Sequence, residues 1–189
     1  MRGLAGLLIL AGALPVAAQD TAAAAPVLVT LADGTTLPLR AWSLTYEIAT
    51  WRRTSSPAFA SFSRLEAKDL WVGKKTYPAA GAVLDIQYDE VERERDMDGE
   101  TKRVKVPVAR TVTLTGADGK KNNLKPEPPA RDHLMPSGDK DLLVQPRSLD
   151  LVGQTLTGTK RSFCLLSFST LVECNDVVGQ QVLKIEFPK

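Results

Sequence analysis

One histidine and two cysteines are all that the 189 residues hold of the side chains that most readily do chemistry near neutral pH. There is no Gly-x-Ser-x-Gly elbow, no phosphate-binding loop and no dinucleotide fingerprint. Acyl-transfer, nucleotide-binding and hydride-transfer readings therefore have no local motif to rest on. The cysteines do not form a Cys-x-x-Cys pair, which argues against thiol redox chemistry. No Asn-x-Ser/Thr acceptor occurs, so there is no site for N-linked glycan. Excess charge is also missing: Lys and Arg number 24 against 22 Asp and Glu. A balance this close gives no electrostatic reason to expect a nucleic acid partner. Beyond residue 18 no stretch is long and apolar enough for a membrane-spanning helix.

What is present begins at the N-terminus. Arg2 precedes the apolar stretch Leu4 to Leu14, and Pro15-Val16-Ala17-Ala18 ends it in small residues. This pattern predicts a secretory signal peptide over residues 1–18, cut after Ala18. As a helix the stretch would reach roughly 16 Å against about 30 Å of hydrocarbon, too short for an anchor. No cysteine stands at the start of the mature chain to take an acyl group. The predicted location is the bacterial periplasm or the extracellular space, with no membrane span in the mature chain. Residues 19–26 are Ala-rich and end in Pro26, and are read as a tether. Residues 27–189, about 160 in all, are enough for one domain with a real core. In an oxidising compartment Cys164 and Cys174 are expected to form a disulfide.

The domain reads as all-β. Val27, Val29 and Leu31 alternate with small or polar residues, Ala32-Asp33-Gly34 follows, and Leu37 and Leu39 alternate again. A three-residue loop with Gly34 at positive φ sets Val29 opposite Leu37 and Val27 opposite Leu39, all on one face. Met97-Asp98-Gly99 repeats the device. Centred there, it predicts Leu84 opposite Val112, Tyr88 opposite Val108, Glu90 opposite Val106 and Glu94 opposite Lys102. Ala117-Asp118-Gly119 is a third case and brings Leu124 opposite Val112. From Leu37 to Trp51 the apolar parity changes at Ala41-Trp42, which predicts a bulge or bend. Ser56-Pro57 can cap a short helix carrying Phe59 and Phe62 on one face, and a strand through the same residues is an equal alternative. Gly73-Lys74 predicts a tight hairpin within Leu70 to Tyr77. The Pro-rich stretch at about 125–141 predicts a long surface loop. Strands are then expected at Leu142–Val144, Leu149–Leu156, Ser162–Phe168, Leu171–Cys174 and Gln181–Phe187. The fold class is a single antiparallel β-sandwich or partly open barrel, built from hairpins with little helix.

Candidate chemistry is thin. His133 with Asp132 and Cys164 could form a nucleophilic pair, but Phe163, Leu165 and Leu166 give Cys164 an apolar setting that keeps a thiol protonated. His133 is read as a solvated loop histidine. Ser137-Gly138-Asp139-Lys140 has the Ser-x-x-Lys spacing of penicillin-recognising enzymes, without the companion motifs and without a helix to align serine and lysine. Glu90, Glu92, Glu94, Asp96, Asp98 and Glu100 raise the question of a calcium site. The cations Arg93, Arg95, Lys102, Arg103 and Lys105 among them point instead to a solvated hairpin arm. Trp42, sharing parity with Leu44 and Tyr46, is assigned to the core. Trp51, with Arg52 and Arg53, is the candidate ligand-binding group. No metal and no cofactor are implied. By elimination the chain is expected to be an exported, non-catalytic binding or structural domain with a protein or small ligand as partner. A hydrolase assembled from dispersed residues and a carrier of an apolar ligand are the alternatives.

Overall fold

A computed structural model describes residues 25–97, 99–125, 127–135, 140–168, 174 and 181–189, with the side chains of Arg95 and Met97 outside the description. The predicted leader, most of the tether, the Ser137–Asp139 part of the Ser-x-x-Lys stretch and the strand expected over Leu171–Cys174 (Cys174 apart) lie outside the described residues.

The elements are β1 (Val27–Leu31), β2 (Thr36–Arg52), a 3-10 turn (Pro57–Phe59), β3 (Ser61–Ala67), β4 (Leu70–Val72), β5 (Lys75–Tyr77), β6 (Val83–Met97), β7 (Glu100–Thr115), β8 (Lys121–Leu124), the one-turn helix α1 (Arg131–Leu134), β9 (Leu142–Gln154), β10 (Lys160–Ser167) and β11 (Val182–Glu186). All strand pairs are antiparallel. Nine strands form an open sheet in the order β10-β9-β2-β1-β11-β6-β7-β8, with β3 also on β2, and β4–β5 is a separate hairpin. The all-β expectation holds.

β2 organises the whole. Ala41 has φ +45°, a left-handed value that costs a residue with a Cβ, and the register slips between Arg40 and Ser43. This is the bulge the parity change predicts. Before it, β2 pairs with β1; after it, β2 lies between β9 and β3. The sheet thus has two parts. Val27, Val29, Leu84, Ile86, Val112, Leu114 and Ile185 from one part share a single buried cluster with Leu44, Tyr46, Ile48, Leu149, Leu151 and Leu165 from the other. Hydrophobic burial between these inner faces holds the two parts together.

The loops explain the registers. Gly34 (φ +84°) and Gly119 (φ +79°) close three-residue loops, and the observed pairs Val29–Leu37, Val27–Leu39 and Val112–Leu124 are the expected ones. Gly73-Lys74 closes the β4–β5 hairpin. The β6–β7 register corrects the expectation. Met97 pairs with Glu100, so the turn holds two residues rather than three, and Tyr88 meets Ala109, Glu90 meets Pro107 and Glu94 meets Arg103. A bulge that takes in Arg110 restores the parity, so that Ile86 meets Val112 and Leu84 meets Leu114. The inward-facing set is kept, but the core pairs shift by two residues, Leu84 meeting Leu114 rather than the expected Val112, and the arm pairs shift by one.

Beyond Gln87 and Thr111, β6 and β7 pair only with each other and project as a two-stranded arm. Ten residues from Tyr88 to Met97 reach about 33 Å. Exposed ion pairs Arg103–Glu94 (3.5 Å) and Lys105–Glu90 (3.6 Å) line it. The strands expected at Leu142–Val144 and Leu149–Leu156 are instead one strand, β9, running through Pro146. β10 ends opposite Ser148, and β9 bulges at Arg147, so Pro146 sits where a missing N–H is tolerated.

Candidate functional site

The part of the sheet formed by β3, β2, β9 and β10 has two unlike faces, because strand side chains alternate. The inner face carries Leu44, Tyr46 and Ile48 of β2 into the core. Tyr46 is fully buried; its hydroxyl donates to the Trp71 carbonyl at 3.1 Å and accepts from the Trp71 N–H at 2.7 Å. Its ring stacks on Trp71 at 5.1 Å, and the Phe168 ring lies at 6.5 Å. Trp71 in turn stacks on His133 at 5.3 Å. Burial pushes the Tyr46 phenol well above its ordinary range, despite the opposing hydrogen bond with Trp71, and keeps it neutral.

This stack corrects the reading of His133 as a solvated loop residue: it is half-buried on α1, against Trp71. It belongs to the inner side of the sheet. Cys164 lies on the opposite face, beside its strand partner Asp150, and is bonded to Cys174 with a Cα–Cα separation of 5.0 Å. A Cys164–His133 pair is therefore ruled out by geometry. Trp42 is half-buried against the core and packs on Phe187 at 5.2 Å.

The outer face is where polar groups collect. Register places Cys164, Asp150, Thr45 and Glu66 in one row across four strands, and Ser167, Ser148, Glu47 and Arg64 in the next. Thr45, Ser148 and Asp150 are nevertheless buried, at 4%, 2% and 8% exposure. Desolvation is the main reason that the Asp150 carboxyl is pushed up to about 6, with Glu47 adding to the rise and the Ser148 hydrogen bond and Arg64 opposing it. Ser148 is too enclosed for a substrate carbonyl to reach its hydroxyl. The row therefore supports stability and pH response rather than acyl transfer.

The sign of that response is fixed. A carboxyl that protonates more easily folded than unfolded favours folding below its unfolded value near 4, and that contribution is lost as pH rises through about 6. Stability is expected to fall between about pH 4 and 6 on account of Asp150. Asp150→Asn is expected to flatten this slope and to be more stable than the native chain at pH 7.5 by about 1–2 kcal/mol. Denaturant melts at several pH values check it; parallel profiles for the two proteins would contradict it.

Along the same face, toward the end of β2, the character changes. Ala49 lies opposite Phe62 and Gln145, and Trp51 opposite Leu143. Phe62 is 63% exposed and Phe59, on the 3-10 turn, 79%. Ser56 caps that turn by accepting from the Ala58 N–H, with Pro57 at its start. The expected Ser-Pro cap is present, and a strand follows it. Arg147 donates to Glu47 Oε1 at 2.7 Å, and its guanidinium lies 4.8 Å from the Phe62 ring centre. This half-buried ion pair fixes the ring's inner neighbour by cation–π contact.

Of the predicted ligand-binding residues, Trp51 is thus half-buried on this face, while Arg52 and Arg53 are exposed where β2 leaves the sheet. Phe59, Phe62, Arg64 and Arg147 join them and were not anticipated. A sequence signal existed for most of these: between Glu47 and Glu66 the chain holds Arg52, Arg53 and Arg64 and no acid.

Among the described residues, two surface clefts lie away from this face. One of about 280 Å³ sits between Tyr77-Pro78 and the β7–β8 turn. Another of about 310 Å³ is lined by Glu92, Arg93, Glu94 and Arg103 on the arm. Neither is an apolar chamber within the sandwich of the kind a carrier uses. Among the described residues no three His, Cys, Asp or Glu side chains gather as a metal site, and no helix is long and apolar enough to cross a membrane.

Fold and site together define an open-sheet, all-β domain with a disulfide at one edge of its polar outer face. Comparison with known proteins adds no relative: no family model, no curated protein and no solved structure matches this chain.

Proposed function

We propose that the protein is an exported, non-catalytic binding domain and that its working surface is the outer face of the β3-β2-β9-β10 part, at the end where β2 passes into β3. The carrying observation is the group of Trp51, Phe62, Arg64 and Arg147 at one end of a sheet face, with the exposed Phe59, Arg52 and Arg53 in the connection that borders it. Aromatic and arginine side chains dominate binding energy at interfaces, and two largely exposed phenylalanines cost solubility unless they are used. The predicted leader and the disulfide are the grounds for placing the protein outside the cytoplasm.

Native mass spectrometry of the protein purified from its own exported fraction tests this. The expected result is a reproducible added mass that Phe62→Ser removes while the melting temperature is kept. A bare chain in every preparation, or an added mass that Phe62→Ser leaves in place, would contradict the reading.

A further inference from the structure

β3 is an edge strand that nothing blunts. Among the described residues it pairs with β2 alone, so its other side presents backbone N–H and C=O groups to no strand. Native edges are commonly protected by short length, by proline, by a bulge or by charge turned inward. β3 has seven residues, no proline, and an unbroken register with β2 from Ser61 to Ala67. Its inner face carries Ser61, Ser63, Leu65 and Ala67 and no charge. The other outer strands are better protected. β8 has four residues and opens on Lys121. β10 opens on Lys160-Arg161, and its register breaks between Cys164 and Leu166.

The charges of β3 are Arg64 and Glu66, both on the outer face, one on either side of Leu65. Both are exposed, and among the described residues no ion pair includes either of them. Glu47, the acid opposite Arg64 on β2, is held by Arg147 at 2.7 Å. A symmetric antiparallel ladder between two copies of β3 has a two-fold axis, and the faces of the two sheets match only if that axis passes through a residue position. An axis at Arg64 sets Arg64 against its own copy, and an axis at Glu66 does the same for Glu66. An axis at Ser63 leaves Glu66 opposite Ala60, outside the strand. An axis at Leu65 sets Arg64 opposite Glu66 twice, Leu65 opposite Leu65, Ser63 opposite Ala67 and Phe62 opposite Lys68.

We infer that β3 pairs edge to edge with β3 of a second copy of this chain, antiparallel and centred on Leu65, so that two sheets become one. Arg64 of each copy meets Glu66 of the other, and the half-buried Leu65 carries the apolar inner face across the seam. Charge selects this register, because the neighbouring ones set like charges together or leave Glu66 out. The inference concerns the free edge of β3 and not the ligand of the outer face. It therefore goes beyond the reading above, and either can fail without the other.

The test is sedimentation velocity over a range of concentrations, on the protein as the cell processes it, its N-terminus fixed by intact mass. A ladder of this length is a small interface, so a dimer that dissociates on dilution is expected. Arg64→Glu and Glu66→Arg each set like charges together twice, and each is expected to weaken the dimer about tenfold or more. Mixed in equal amounts, the two variants are expected to associate as the native chain does, because one then brings only acids to the ladder and the other only arginines. The double variant Arg64→Glu/Glu66→Arg is expected to regain the dimer by itself. Unchanged melting temperatures are the control for folding. In the native chain, amide exchange along β3 is expected to slow as concentration rises, a measurement that needs no substitution. A native chain that is monomeric at every concentration overturns the inference, including one that carries a different protein on this edge. So does a dimer that neither single variant weakens, or folded variants that do not associate when mixed. If the variants do not fold, β3 amide exchange that is indifferent to concentration overturns it.

Discussion

Replacing Tyr46 with alanine is expected to lower the stability of the domain by about 3–5 kcal/mol, the largest loss expected from any single change considered. Tyr46 is fully buried at the centre of β2. Its removal opens a large cavity, deprives the Trp71 N–H and carbonyl of their partner, and breaks the stack that runs from His133 through Trp71 toward Phe168. For a domain of this size the melting temperature should fall by about 10 °C or more. Tyr46→Phe separates the causes. It keeps the ring and the stack and leaves only the Trp71 groups unsatisfied, so about 1–3 kcal/mol is expected. A Tyr46→Ala protein melting within a degree or two of the native one would show that the stack does not hold β4–β5 and α1 onto the sheet.

The second large effect belongs to the disulfide. Cys164→Ser is expected to cost about 3 kcal/mol under oxidising conditions, from the chain entropy that the bridge removes from the unfolded state. The bridge spans 10 residues and ties Cys174 to the outer face, beside the buried Asp150. The fold should survive, because β10 keeps its pairing with β9 through Phe163 and Leu166. With dithiothreitol present, the native chain and the variant should melt alike. Equal melting temperatures without reductant would remove the bridge from the account of stability.

Much of the fold was legible because local chemistry set it. In the loops at Gly34 and Gly119 an aspartate accepts from a backbone N–H two residues on, Thr35 to Asp33 at 2.8 Å and Lys120 to Asp118 at 3.0 Å, while glycine takes the positive φ. A third loop of this form, closing Thr155 to Thr159 around Gly158 (φ +83°), went unread because Thr157 stands where the others have aspartate. The arm register failed for a different reason. The turn holds two residues, and the bulge at Arg110, the one polar residue among the even positions from Val104 to Leu114, restores the core parity and so hides the shorter turn from a count of alternation.

The site was legible only in part. Trp51, Arg52 and Arg53 are adjacent in sequence, so their composition could be noticed. Phe62 and Arg147 are far apart in the chain and meet only because β2 and β9 pair with a bulge at Arg147. The burial of Asp150 could not be anticipated either. Polar alternation on β9 reads as a solvated face, whereas Asp150 sits between Thr45 of β2 and the disulfide-bonded Cys164 of β10, neighbours that only strand pairing supplies.

The central claim, that the β2–β3 end of the sheet is the working surface, is tested most directly by photo-crosslinking in the producing cell. A photoreactive residue is placed at Phe59 in one protein and at Leu156, also largely exposed but in the β9–β10 loop, in another. Crosslinked product from position 59 and none from position 156 is the result expected. Product from both positions alike, or from position 156 alone, would contradict it.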